Sequence, residues 1–203
     1  MLEDLRGLAG FWQDVFEMGA LRFVNPHGLT KFFLILQAKK RSASDVFIEI
    51  GTYHGVTSRR CAGRFDRVYT VEISPELSQK AAVRFSKLKN RNIHLTEGDG
   101  LKVLPEILEK SDVRNALIFL DGHPCGARTG TGAVNEPAVE ELAVIARYRD
   151  KVNAIIVDDF RNFGVESDFP KKSTLLKQAE DLFGSQGYRI EVRMDQLVIL
   201  KDA

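Results

Sequence analysis

The fold is decided at residues 46–55, whose sequence is VFIEIGTYHG. Four of the first five residues are apolar, and the loop that follows carries a glycine at each end, Gly51 and Gly55. A short apolar run of this kind is typical of a strand buried on both faces of a parallel sheet. These residues therefore predict a buried strand that ends in a glycine-bearing loop.

Further short apolar runs follow this strand and alternate with stretches of helical periodicity. The alternation predicts βαβ units and a parallel sheet with helices on both faces. Ser74 and Pro75 supply the N-cap and first residue of one intervening helix. The predicted strands are Val46–Ile50, Val68–Glu72, Ile93–Thr96, Ala116–Asp121 and Ala154–Val157, and further helices are expected at about Leu101–Glu109, Pro137–Tyr148 and Lys172–Phe183, the last ended by Gly184.

The C-terminal residues depart from this rhythm. Two more apolar segments lie there, an alternating one at 188–194 and a continuous one at Leu197–Leu200. Two strands separated only by a tight Asp195-Gln196 turn must be antiparallel. The predicted fold class is therefore α/β, with a seven-stranded, mostly parallel sheet, helices on both faces and a C-terminal antiparallel hairpin.

The N-terminal segment has its own pattern. Apolar side chains recur at the spacing of one helical face, and the other face carries Gln13, Asp14 and Glu17. A second helix is expected at about Thr30–Lys40, followed by a polar linker. We expect residues 1–43 to form a helical appendage that covers the substrate or joins a homodimer, and residues 44–203 to form the main domain. The apolar face consists of Leu8, Phe11, Trp12, Val15 and Phe16.

The composition of the 203 residues excludes several classes of protein. Hydrophobic residues make up 44% and charged residues 28%, which is the balance of a soluble globular domain. The net charge of +1 provides no large field for dedicated nucleic-acid binding. The longest apolar runs are too short to cross a membrane. Two cysteines, and no leader-like start, predict reduced thiols and a cytoplasmic location.

Carboxylates stand at the end of every predicted parallel strand. In an open α/β sheet, ligands bind outside these ends, so the loops at these positions are the candidate site. In the first loop, Tyr53 and Val56 occupy the places of the second and third glycines of the dinucleotide pattern, which argues against NAD. A nucleoside without a phosphate fits better. Glu72 can accept both ribose hydroxyls, and Asp99 can accept from an adenine amino group.

Taken together, these strand ends resemble the class I S-adenosylmethionine-dependent methyltransferases, from about Ser44 to Lys201. The resemblance implies a Rossmann-like fold and S-adenosylmethionine as the cofactor, with its methionine end between the first loop and the fourth strand end. It further implies that the chain is an enzyme that methylates a small-molecule acceptor. The implied cofactor-binding residues are Glu49, Gly51, Thr52, Tyr53, Gly55, Glu72, Ile73, Asp99, Gly100 and Asp121.

Asp121, Asp158 and Asp159 form a second constellation at adjacent strand ends. Three carboxylates without a cation would repel one another, and Mg²⁺, Ca²⁺ or Mn²⁺ would relieve this. The pattern is similar to that of metal-dependent O-methyltransferases, with two departures: Asp159 often corresponds to asparagine, and Pro124 replaces a lysine of the catechol type. The alternative is that Asp158 or Asp159 caps a loop or holds Arg161.

Residues 122–136 are rich in glycine and poor in large apolar side chains, so we expect a mobile cover over the site. His123, beside the fourth strand end, is the candidate general base, and Asp121 is the second candidate catalytic residue. The same segment is similar to methyltransferases of sugar or polysaccharide biosynthesis.

The leading functional prediction is O-methylation of a small molecule or sugar hydroxyl, with a divalent metal as a possible aid. Three alternatives stay open at this point. The first is a metal-dependent glycosyltransferase that uses a nucleotide sugar, and the second is a methyltransferase-like binding module without turnover. RNA methylation is the third, and the neutral charge and the lack of an Asn-Pro-Pro-Tyr type motif argue against it.

Overall fold

The computed structural model describes residues 2–22, 25–88, 92–122 and 136–202. Seven α-helices and seven β-strands lie within these ranges, and strands and helices alternate from β1 to β6. In chain order they are α1 Leu2–Gly19, α2 Gly28–Ser42, β1 Val46–Ile50, α3 Val56–Cys61, β2 Arg67–Glu72, α4 Pro75–Ser86, β3 Ile93–Glu97, α5 Gly100–Glu109, β4 Ala116–Leu120, α6 Ala138–Ala146, β5 Val152–Val157, α7 Lys172–Phe183, β6 Tyr188–Arg193 and β7 Gln196–Lys201.

The seven strands form one sheet in the order β3-β2-β1-β4-β5-β7-β6. Strands β1 to β5 pair in parallel, whereas β7 is antiparallel to both of its neighbours. The sequence predicted this arrangement, including the reversed strand beside β5, and the prediction is confirmed. The strand order changes direction between β1 and β4, so a crevice opens at their carboxyl ends, next to Gly51 and Asp121.

Helices cover both faces of the sheet, as predicted, because successive side chains of each strand point to opposite sides. In β1, Ile48 packs with α5, α6 and α7 on one face. Phe47 packs on the other face, against Phe32 and Ile35 of α2 and the residues around α3. Helix α2 is therefore a layer of the central core rather than a loosely attached segment.

Helix α1 is fixed to the start of α2 through one buried carboxylate. Asp14 has no exposed surface and accepts hydrogen bonds from the His27 backbone N–H at 2.8 Å and from the Thr30 hydroxyl. Its other oxygen lies 2.6 Å from His27 Nδ1. The sequence placed Asp14 on the solvent face of α1, and this is wrong. Helix α1 buries Asp14 and Gly10, the latter against the His27 ring.

The apolar face predicted for α1 is instead largely exposed: Trp12 is 62% and Phe16 68% accessible. This surface therefore does not pack on the core of its own chain. Its use in a homodimer or as a wall of a substrate pocket stays a prediction. Among the described residues, no helix has the length and hydropathy needed to cross a membrane.

Three local details differ from the predictions or add to them. The six-residue helix α3 was not predicted, because it is too short to show helical periodicity. The turn between β6 and β7 consists of Met194 and Asp195, since Gln196 already pairs with Arg193. Helix α7 ends at Phe183 with Gly184 as its C-cap, as predicted; Gly184 is itself right-handed, and the left-handed glycine that follows is Gly187, with a φ of 75°.

Candidate active site

The loop after β1 is tightly folded between β4 and α4. Gly51 has a φ of 97°, Tyr53 of 48° and Gly55 of 67°, so three residues of this loop lie in the left-handed region. A Cβ on Gly51 would lie 2.3 Å from the carbonyl oxygen of Asp121, and one on Gly55 would lie 2.5 Å from the Phe85 ring. Glycine is required at position 51, where the φ value and the neighbouring backbone both exclude a side chain, and it is favoured at position 55, where the Phe85 ring would have to move.

Glu72 ends β2 directly beside this loop. Its side chain is 5% exposed, and its two oxygens accept hydrogen bonds from the backbone N–H of Tyr53 at 2.7 Å and from that of Ser74 at 2.9 Å. A carboxylate offers about four lone-pair positions, so roughly half of its accepting capacity is used by these bonds. The remaining lone pairs suit the hydroxyl groups of a ribose. Ile73 follows at the rim and is partly buried.

The third strand end supplies the adenine side of the predicted site. The Asp99 side chain caps α5 by accepting from the Leu101 backbone N–H at 3.0 Å. Gly100 begins that helix and lies against Ile50 of β1, where a Cβ would come within 2.6 Å. The predicted residues of β1, β2 and β3 are thus brought to one edge of the sheet, as the register of these strands requires.

Glu49 and Thr52 lie beneath the loop. The Glu49 side chain is 1% exposed and accepts a hydrogen bond from the Thr70 hydroxyl at 2.9 Å, while the Thr52 and Thr70 hydroxyl oxygens are 2.6 Å apart. Ser58 of α3 donates to the same Glu49 oxygen. Burial raises the pKa of Glu49 to about 7, although these hydroxyls oppose the shift. This network links β1, β2 and α3 under the loop, and a contact between Glu49 and the cofactor stays a prediction.

The second half of the site lies at the ends of β4 and β5, which pair in parallel up to Leu120 and Val157. Asp121 is partly buried, Asp158 is fully buried, and Asp159 adopts a φ of 51°. Gln196 of β7 donates to one Asp158 oxygen at 3.0 Å. Sheet pairing therefore brings the three predicted aspartates to one edge of the sheet.

Two cations accompany these carboxylates. The Lys31 ammonium of α2 contacts Asp158 and lies 3.4 Å from an Asp159 oxygen. Arg161 lies 2.9 Å from the same Asp159 oxygen and also contacts Asp195. Burial opposes the charge on Lys31, but the charges of Asp158, Asp121 and Asp159 outweigh it and raise the pKa of Lys31 above its ordinary value. Lys31 is therefore protonated at neutral pH and does not act as a base.

This arrangement does not suit the predicted metal ion. Among the described residues, no group of three His, Cys, Asp or Glu side chains is placed to hold a metal. The charge of the aspartates is offset by Lys31 and Arg161, and the interpretation that Asp159 holds Arg161 agrees with the structure. His123 and most of the predicted cover, residues 123–135, lie outside the described residues, so both remain predictions.

Lys31 was not predicted as a site residue. Its sequence position, within an amphipathic helix and 128 residues before Asp159, contains no sign of this contact. The available signal was the excess of carboxylates at the strand ends, which required a positive partner of some kind.

Curated relatives of the chain are protein-L-isoaspartate O-methyltransferases. The enzyme of Pelotomaculum thermopropionicum is 34% identical over 127 residues, which are 58% of this chain and 54% of the relative. That of Ignicoccus hospitalis is 32% identical over 107 residues, 51% of this chain and 49% of the relative. The matches to these two and to the enzyme of Petrotoga mobilis span between 32% and 54% of the relatives' lengths. No family model matches the chain.

Solved structures match over nearly the whole chain. The O-methyltransferase TomG of Streptomyces achromogenes, in complex with S-adenosylmethionine, has a TM-score of 0.60 at 15% identity and covers 92% of this chain and 86% of its own. The O-methyltransferase of Bacillus cereus, in complex with S-adenosylhomocysteine, has a TM-score of 0.60 at 15% identity. The match covers 94% of this chain and 89% of the Bacillus cereus chain. The resemblance predicted from the strand ends is confirmed: the chain has the fold of the class I S-adenosylmethionine-dependent methyltransferases.

Proposed function

We propose that the chain is an S-adenosylmethionine-dependent methyltransferase that methylates an oxygen atom of a small molecule or sugar. The observation that carries this proposal is the Glu72 carboxylate, buried against the glycine loop with accepting capacity left for a ribose. The nucleoside would lie between Glu72 and Asp99, and the close backbone approach at Gly51 would leave room for the rest of the cofactor beside Asp121.

S-adenosylmethionine supplies an electrophilic methyl group bound to its sulfonium sulfur. When the methyl group is transferred, the sulfur keeps the electron pair of the broken carbon–sulfur bond. The chain's own task is to hold an acceptor oxygen in line with that methyl group, beside the ends of β4 and β5. Such positioning supplies most of the rate in a displacement of this kind. The acceptor proton must pass to a base, for which His123 is the predicted residue and Asp121 a carboxylate at the same edge.

The described residues favour a chemistry without a metal ion at this edge. Lys31 and Arg161 already offset part of the aspartate charge, so we expect methyl transfer here to proceed without a divalent cation. Both side chains also contact Asp159, which lies beside the proposed acceptor position. The aspartates still outnumber the two cations, and a neutral hydroxyl acceptor meets no charge repulsion beside them.

A second candidate is methylation of a protein carboxylate, which the names of the curated relatives favour. An isoaspartyl peptide brings a negative charge of its own to the acceptor. The aspartates would repel it unless Lys31 or Arg161 turned toward the substrate. The two candidates are therefore distinguished by the charge of the acceptor that is turned over.

Calorimetric titration of S-adenosylmethionine tests the proposal. We expect micromolar binding to the wild-type chain and a loss of at least about 100-fold in the Glu72→Ala variant, because two charge-assisted hydrogen bonds disappear. Glu76→Ala is the matched control, since Glu76 is an exposed residue of the adjacent helix paired with Lys80. Thermal unfolding of each variant checks that it is folded.

Absence of binding would contradict the proposal, and a titration with uridine diphosphate sugars would then test the glycosyltransferase alternative. Given binding, release of S-adenosylhomocysteine is measured with sugar and phenolic acceptors and with an isoaspartyl peptide. Turnover of a hydroxyl acceptor supports the leading candidate, and turnover of the peptide supports the second. Binding without turnover of any acceptor favours the non-catalytic module.

A further inference from the structure

Helix α1 carries an apolar stripe on the side that faces away from the rest of the described chain. Successive members of the stripe are three or four residues apart, so they share one face of the helix. Each is between 47% and 68% exposed. We propose that this apolar stripe is the surface through which two copies of the chain pair as a symmetric dimer. The stripe consists of Leu5, Leu8, Trp12 and Phe16.

The fold keeps the apolar stripe turned outward. Gly10 and Asp14 lie on the opposite side of α1, since each is two residues from Trp12, which is just over half a helical turn. Gly10 packs against the His27 ring, and Asp14 accepts hydrogen bonds from His27 and Thr30. A rotation of α1 that buried the stripe on α2 would break all of these contacts. The stripe therefore needs a partner other than α2.

The size of the apolar stripe fits a dimer interface. Its exposed area is roughly 450 Å², taking about 200 Å² as the whole surface of a large apolar side chain. One side of a standard interface buries about 800 Å², of which about 60% is apolar. The stripe thus supplies the apolar share of one subunit. Aromatic contacts extend it toward α2, because the Phe11 ring lies 5.8 Å from the Trp12 ring and 5.4 Å from the Phe33 ring.

The order of the side chains along the stripe suits a second copy of the same helix. The two leucines come first, and the two large aromatic residues follow. In an antiparallel pair with a twofold axis at the level of Gly10, Leu5 of one copy would meet Phe16 of the other, and Leu8 would meet Trp12. Small side chains facing large ones fill the space between two helices evenly. The antiparallel direction also brings opposite ends of the two helix dipoles together.

A lipid surface fits the same stripe less well. Helices that lie on membranes are rich in lysine and arginine on their polar face. Helix α1 has one basic residue, Arg6, against four acidic residues between Leu2 and Gly19. An anionic membrane would repel this helix, whereas a second copy meets the stripe with the same apolar surface.

Sedimentation equilibrium of the purified full chain tests the proposal. We expect a wild-type dimer with a dissociation constant of about 10 μM or lower. Trp12→Glu should raise this constant at least about 100-fold, because central aromatic residues carry much of the energy of an interface. Val83→Glu is the matched control, since it places the same charge on an exposed apolar residue of α4, and it should leave the dimer intact. Urea unfolding checks that each variant is folded.

A mixing test examines the antiparallel arrangement. Leu8→Arg and Trp12→Glu should each be monomeric alone, and an equimolar mixture should form dimers again, because the two new charges are opposite and would face each other. Two charged variants that stay monomeric on mixing would overturn the antiparallel arrangement.

A wild-type chain that is monomeric at about 100 μM would overturn the proposal. Its co-sedimentation with phospholipid vesicles would then identify a lipid surface as the occupant of the stripe. A dimer that survives Trp12→Glu would overturn the proposal as well, because another surface would then join the subunits. No arm of the experiment requires S-adenosylmethionine, so its result stands whatever the methyl-transfer assays give.

Discussion

Gly51 and Asp121 meet backbone to backbone: a Cβ on Gly51 would lie 2.3 Å from the Asp121 carbonyl oxygen and 2.9 Å from the Gly122 Cα. This contact joins the two halves of the candidate site, the glycine loop after β1 and the acidic edge after β4. The Asp121 backbone N–H also donates to the Ile50 carbonyl at 2.9 Å. The spacing between the β1 loop and the end of β4 is therefore set by a contact that only glycine permits.

The Gly51→Ala substitution is expected to destabilise the protein by about 3 kcal/mol or more, because strain at a φ of 97° adds to the clash with Asp121. Urea unfolding measures the change. Gly19→Ala is the control, since a Cβ there meets nothing within 4 Å, and it should be neutral or slightly stabilising. Equal stability of the two variants would show that the β1 and β4 ends separate easily.

The strands were predictable because their signal is local. Short apolar runs such as Val46–Ile50 are buried on both faces, so composition alone locates them within two residues. Helix α1 was harder, since the widest apolar face of a helix is ordinarily the buried one. Here a close approach at Gly10 and hydrogen bonds to Asp14 determine the buried face, and neither effect contributes to hydrophobic periodicity.

The acidic edge was predictable only in part. Parallel strands necessarily bring Asp121 and Asp158 to the same side of the sheet, so their proximity follows from the strand assignment. The identity of the neutralising partner does not follow from it, because Lys31 reaches the cluster through the packing of α2 on the sheet. A contact made by tertiary packing between distant residues leaves no mark on a single sequence.

Glu49 should make stability depend on pH. Its pKa rises from 4.5 to about 7 on folding because the carboxyl group is buried. Between these two pH values the native state keeps a proton on Glu49 that the unfolded state has released. The stabilisation that this protonation gives is therefore complete below pH 4.5 and is lost as the pH rises through 7. This pKa shift corresponds to a change of about 3 kcal/mol in the free energy of unfolding. Urea unfolding from pH 4.5 to 8 should therefore give a steeper decline for the wild type than for Glu49→Gln.

The matched control for Glu49 is Glu97→Gln at the exposed end of β3, which should keep the wild-type pH profile. The difference between the profiles matters here, because other groups also titrate in this range. Parallel profiles for Glu49→Gln and the wild type would mean that Glu49 stays ionised under α3.

Asp195, in the turn between β6 and β7, should control the loop that carries Asp159. Its buried side chain accepts from the Arg161 backbone N–H at 2.7 Å and contacts the Arg161 guanidinium group. Asp195→Ala removes both and is expected to cost about 2 kcal/mol in urea unfolding. S-adenosylmethionine affinity should stay within about twofold, because Glu72 lies at a different strand end. Asp202→Ala breaks an exposed ion pair with Arg189 and should cost less than about 0.5 kcal/mol.

A large loss of cofactor affinity in Asp195→Ala would show that the two halves of the site are coupled through the loop after β5. Unchanged stability would show instead that Arg161 is held by its other contacts, with Asp159 and with Asn25 at 3.0 Å. Both measurements use the purified full chain and need no acceptor.

Asp14 should hold α1 against α2, and its loss should release α1 while the sheet stays folded. Asp14→Ala leaves the His27 backbone N–H and the Thr30 hydroxyl without their acceptor, at a cost of roughly 2 to 4 kcal/mol confined to this contact. Hydrogen exchange measured by mass spectrometry should then accelerate at least tenfold in peptides covering α1, with β1 unchanged. Gln13→Ala, which removes only an exposed side-chain bond to Glu17, is the control. Uniform acceleration in α1 and β1 would mean that α1 is part of the global folding unit, because its release would then unfold the sheet as well.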